Sequence, residues 1–212
     1  QPTAPNTAQV DAVWAASQID HRRAAASIPL TVNTASREEV RQFYRAIYSA
    51  SADVPMEWTG SYTTGVAGAT TSAFKEATRL RINFFRALVG VPASVTLNSV
   101  FNAKAQQAAL MMSANRELLH TNIPTTWTFY SADGAEAAAN SNLNLVGAGP
   151  DAIDAYMTDS FENNFEVGHR RWLFYPQTRE MCTGDGPGSG TLSSANALWV
   201  IDGQFGQTRP AT

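Results

Sequence analysis

Apolar positions along this chain recur first at helical spacing and, toward its end, as short extended runs bounded by Pro, Gly or Asp. Thr7 to about Ala26 is Ala-rich with charges on several faces and reads as a helical arm, separated from the rest of the chain by the Ser/Thr/Pro segment Ser27 to Ser36. Ser36-Arg-Glu-Glu39 is a capping box, and Val40, Phe43, Tyr44, Ile47 and Tyr48 come after it at helical spacing, which predicts a helix from about Arg37 to Ala50. Met56 to Thr71 is rich in Gly and Thr without a period, and predicts a surface loop pinned by Trp58.

From Ser72 the stripe Phe74, Ala77, Leu80, Arg81, Phe84, Phe85 and Leu88 predicts an amphipathic helix that stops at Gly90, with Pro92 beyond. A second long helix runs from about Ser99 through Ala105, Ala108, Ala109, Met112 and Leu118, its C-terminal end presenting His120. A short helix opens after Ser131 or Asp133 and carries Glu136 in its first turn, where the helix dipole favours a carboxylate. Pro150 suits the first turn of a fourth helix, over about Asp151 to Ser160. Trp172 to Tyr175, Glu180 to Thr183 and Ala197 to Ile201 are expected as strands. Helices gathered first and strands last point to an α+β fold rather than βαβ alternation.

A chain of 212 residues with 44% hydrophobic residues can close one core. The 15 basic residues are scattered and the formal net charge is -3, which excludes a basic stripe for nucleic acid. No run reaches the roughly 18 to 20 apolar residues of a membrane span, so no spanning segment is expected. A single cysteine, Cys182, rules out an intrachain disulfide and, inside an apolar run, reads as a small buried hydrophobe. The start at Gln1 looks like the end left by signal-peptide removal, an expectation of export, and the polar tail Gly206 to Thr212 reads as an end beyond which the native chain can continue.

Gly168-His-Arg-Arg-Trp-Leu-Phe-Tyr-Pro176 resembles the Gly-His motif and adjoining strand of bacterial proteins of the CAP superfamily, named for cysteine-rich secretory proteins, antigen 5 and pathogenesis-related proteins. Further features fall in the same order: the helix Phe74 to Leu88 with Arg86 near its end, the helix ending in Leu-His120-Thr, and Gly134-Ala-Glu136 with Asn140 behind it. The resemblance covers about Ser72 to Asp185 and implies a three-layer α/β/α sandwich, with residues 72–212 as the CAP domain and residues 1–71 as a helical extension packed on it. It also implies a cleft with two histidines and two acids, and by order His120, Glu136 and His169 match three of these positions. Asp159, which ends a helical pattern, is the favoured second acid, with Glu162 and Glu166 nearby. The usual Gly-Glu-Asn is Ala-Glu-Ala here, and the disulfides of eukaryotic members are absent.

Two imidazoles converging with carboxylates suit a divalent cation, zinc above all, bound weakly through His120 and His169 with open positions for water. The acids would then serve as acceptors for the outer ring N–H, with Glu136 expected to hydrogen-bond one histidine, and affinity would fall on acidification because protonated imidazole cannot ligate. The alternative use of the same residues is a hydrogen-bonded network that joins helices to sheet. The implied function is a secreted, non-enzymatic binding protein for a lipid, sterol, glycan or cell-surface ligand. The alternative is a metal-dependent hydrolase of peptides or esters with Glu136 as general base. No His-Glu-x-x-His, Gly-x-Ser-x-Gly or phosphate-loop motif is present. Trp127, Phe129 and Tyr130 lie soon after His120 and either wall its cleft or fill the core. Arg170 and Arg171 could bind an anion, but strand alternation would send them to opposite faces. His21, in Asp20-His-Arg-Arg, reads as a solvated face.

Overall fold

The computed structural model describes residues 29–160 and 163–210. The arm expected over Thr7 to Ala26, His21 within it, and the acid Glu162 lie outside the described residues. The Ser36 hydroxyl accepts the Glu39 N–H and opens α1 (Arg37–Phe43), as a capping residue does. The chain then continues as a π turn over Tyr44–Tyr48 and a 3₁₀ turn over Ser49–Ser51. Across this change of pitch the rings of Phe43 and Tyr48 each sit 5.2 Å from Phe84, and Tyr44 sits 6.2 Å from it.

Phe84 belongs to α2 (Ser72–Leu88), capped by Thr71, whose hydroxyl accepts the Phe74 N–H. β1 (Thr96–Leu97) leads into α3 (Ser99–Asn115), where the Asn98 side chain accepts the N–H groups of Val100 and Phe101. Arg116, with φ +54°, ends α3 by turning left-handed. His120 therefore stands on a loop beyond α3, not on the helix end that the apolar spacing implies. Ser131 caps α4 (Ala132–Ala139), and β2 (Ser141–Asn144) comes directly after it. α5 (Gly149–Thr158) has Pro150 in its first turn and ends at Asp159, φ +47°. The short α6 (Asn163–Glu166) and α7 (Gly168–Leu173) precede β3 (Glu180–Gly186) and β4 (Ala195–Trp199).

The segment expected as a strand from Trp172 to Tyr175 is thus corrected. Arg171 N–H donates to Val167 O at 2.9 Å and Phe174 N–H to Arg170 O at 3.1 Å, so the backbone bonds to itself and the aromatic run closes a helix. The strand propensity of Trp, Phe and Tyr yields here to packing, because Leu173 inserts fully into the core.

The four strands order as β1-β3-β4-β2, with β1 parallel to β3 and the other pairings antiparallel. Alternation along β3 and β4 separates two cores. Cys182, Ala197 and Trp199 meet Ala105, Ala108 and Met112 of α3 and Ala137 and Ala138 of α4. Met181 and Leu198 meet Ile82 of α2, Ile153 and Tyr156 of α5 and Leu173 of α7. Helices on both sides of one mixed sheet make the three-layer α/β/α sandwich of an α+β fold.

Candidate functional site

His169 sits in the first turn of α7, and its Nδ1 lies 2.8 Å from Asp159 Oδ1. Asp159, almost fully buried at the end of α5, uses its other oxygen to accept the Arg170 N–H at 3.2 Å. The Tyr156 ring lies 5.1 Å from the imidazole, and its hydroxyl donates to Asn196 Oδ1 at 2.8 Å and reaches Asn142 O at 3.0 Å. Burial raises the Tyr156 phenol well above its usual range, so it stays a proton donor. Asn142 Nδ2 in turn donates to His169 O at 3.1 Å. The histidine is held by ring, carboxylate and backbone together.

His120 reaches the same place from the other side. Its Nδ1 lies 2.9 Å from Ala138 O, near the end of α4. A carbonyl only accepts, so Nδ1 carries a proton, and in the neutral ring Nε2 then keeps a lone pair. Against the Asp159 carboxylate, which also only accepts, His169 takes the same tautomer. Both histidines line one cleft of about 450 Å³, with Asp159, Glu166, Asn140 and Trp172 among its other walls.

Of the described acids near His169, Asp159 makes the hydrogen bond and Glu166 lines the cleft. Glu136 is placed elsewhere: its carboxylate accepts from Lys104 Nζ at 2.6 Å, on a half-exposed flank, and hydrogen-bonds neither histidine. That contact, joined by Asp133 at 3.5 Å, holds the Lys104 ammonium above its usual range. What α4 contributes to His120 is the backbone oxygen of Ala138. No side-chain signal in the sequence encodes that contact.

Of the two uses open to Trp127, Phe129 and Tyr130, filling the core is the one that Trp127 and Tyr130 take. Trp127 and Tyr130 pack against the α3/α4 core, and the Phe129 ring covers Gly65. Among the described residues, Trp172 is the aromatic side chain that lines the cleft besides the histidines, with Val200 and Ile201 nearby. Arg86, fully buried, braces the far end of α7 by donating to the carbonyls of Leu173 at 2.6 Å and Tyr175 at 3.1 Å, and also to Pro92 and Thr178. Burial lowers its guanidinium to about 10, with Asp202 opposing the shift.

Against this geometry, the family model described as CAP: Cysteine-rich secretory protein family matches residues 80–201. The chain belongs to the CAP family. The match takes in the C-terminal half of α2, the sheet and both histidines of the CAP cleft. No curated protein and no solved structure matches the chain. Among the described residues, no helix of this CAP protein is long and apolar enough to cross a membrane. Nor do three or more His, Cys, Asp or Glu side chains converge there as a ready metal site. Two imidazoles line the CAP cleft, fewer donors than a closed four-ligand site needs. Cys182 is fully buried and burial pushes its thiol up, which removes it as a nucleophile.

Proposed function

We propose that this protein is a secreted, non-enzymatic CAP-domain binding protein whose cleft holds a divalent cation, zinc the best match, through His120 and His169. The observation that carries the reading is the commitment of both Nδ1 atoms, to Ala138 O and Asp159, beside a shared cleft. Each ring then offers Nε2, the neutral nitrogen that zinc accepts. A bound cation would supply a positive charge with open coordination positions. Trp172, Val200 and Ile201 would give an accompanying lipid, sterol or glycan an apolar wall. Export is supported by the family's description as secretory. The hydrolytic alternative loses its expected base, because Glu136 is engaged by Lys104 outside the cleft.

Calorimetric titration of zinc into the wild type and into a His120→Ala, His169→Ala double variant tests the reading. Binding in the wild type, with the affinity lost in the variant, is expected. Equal heats and affinities would overturn the metal role and leave a purely structural network. Steady ester or peptide turnover that a chelator abolishes would replace the binding reading with the hydrolytic one.

A further inference from the structure

α7 presents a second face. While His169 and Trp172 border the histidine cleft, Arg170, Arg171 and Phe174 border a separate groove of about 490 Å³, closed by Tyr175, Gln177 and Arg209. This volume lies within the range of small-ligand sites, about 300 to 1,000 Å³. The helical backbone makes the groove possible, since strand alternation would have parted the two neighbouring arginines.

Three guanidiniums meet here and, among the described residues, no carboxylate lines the groove, on a chain whose formal net charge is -3. Arg170 is anchored, with Nη2 donating to Thr158 O at 3.1 Å. Among the described residues, the side chains of Arg171 and Arg209 make no hydrogen bond or ion pair. Gln177 supplies a second and independent demand. Its Nε2 donates to Gln207 O at 2.9 Å, which orients the amide, and its Oε1 is buried without a donor. A buried acceptor left unmatched carries a desolvation cost, and a ligand hydroxyl would remove it.

We propose that this groove binds an acidic carbohydrate, a sugar bearing a uronate carboxylate. The carboxylate pairs with the forked donors of Arg171 and Arg209. A ring hydroxyl donates to Gln177 Oε1, and the apolar C–H face of the sugar lies on Phe174 and Tyr175. Inorganic phosphate would answer only the arginines, and a neutral sugar only the glutamine and the rings. The site lies on the opposite face of α7 from the histidines, so it stands or falls apart from the cation reading.

The full chain is titrated by calorimetry with trigalacturonate, its neutral counterpart trigalactose, inorganic phosphate, and a triglutamate peptide of equal formal charge. Trigalacturonate is expected to bind best. The Arg171→Ala, Arg209→Ala double variant should lose about tenfold or more in affinity, as the loss of charge-assisted hydrogen bonds implies. Gln177→Leu should weaken the acidic sugar and leave phosphate unaffected, whereas the His120→Ala, His169→Ala variant should bind the sugar as the wild type does. Circular dichroism identical to wild type confirms that the variants fold. Absence of binding, equal binding of trigalactose, phosphate or peptide as tight as the sugar, or an indifferent arginine double variant would each overturn the proposal.

Discussion

A histidine becomes a directed ligand when a neighbour decides which ring nitrogen carries the proton. Asp159 does this for His169, and its left-handed backbone at φ +47° is a conformation that Asn also tolerates. Asp159→Asn should therefore keep the fold and an acceptor oxygen while removing the charge. Zinc affinity is expected to fall by roughly tenfold, measured by calorimetry, and an unchanged affinity would show that the carboxylate charge does not act on His169. Asp185 shows a different balance at the same scale. It is fully buried and accepts from Gly149 N–H and Asn196 Nδ2, both at 2.6 Å, and from Thr183 Oγ1 at 2.7 Å. Burial nevertheless raises its carboxyl above the ordinary range. The folded state holds the proton more tightly than the unfolded chain. Its contribution is therefore complete below the unfolded pKa and is lost as pH rises through the folded one. Asp185→Asn has no such loss, so its stability relative to wild type should rise between about pH 3 and about pH 7. Urea unfolding at the two pH values checks this, and a shift in favour of the wild type would reverse the sign.

Among the elements, α3 and β3 come into close contact at Gly184. A Cβ added there would lie 2.0 Å from the Ala105 carbonyl carbon, so the alanines of α3 and this glycine together let helix and strand touch. Gly184→Ala should force the two apart and destabilise the protein by about 2 kcal/mol in chemical denaturation. A neutral effect would mean that α3 can shift without loss of packing. Capped, strongly periodic elements are the ones readable in the chain: Ser36, Thr71 and Ser131 each bond the N–H three residues on, where sequence spacing places a helix start. β1, only two residues long, and β2, Ser-Asn-Leu-Asn, carry no alternation to read. Their strand character comes from partners: Leu97 pairs with Met181, and Leu143 with Ala197, across more than fifty residues of chain.

For the whole molecule, residues 37–51 are joined to the domain by a buried cation. Arg81, 2% exposed, donates to Ser51 Oγ and Tyr48 O, pairs with Asp154 of α5, and lies 3.7 Å from the centre of the Tyr48 ring. Tyr48 OH also bonds Asp154 at 2.8 Å. Since one guanidinium serves both parts, residues 37–51 and the sandwich should unfold together. Tyr48→Ala is expected to lower stability by about 2 kcal/mol, with fluorescence and circular dichroism melts still coinciding. Separate transitions in the wild type would show that the extension is an independent unit. Caps and apolar periods, which act over a few residues, let the sequence by itself determine where α1 to α3 begin, the α+β class, and the histidine-bearing segments by which the chain resembles the CAP family. Tertiary structure alone decided that Glu136 turns to Lys104, that His120 is fixed by a backbone oxygen, and that the Arg170–Arg171 segment is helical. Those outcomes depend on which surfaces meet across long stretches of chain, and a pattern confined to neighbouring residues contains no term for them.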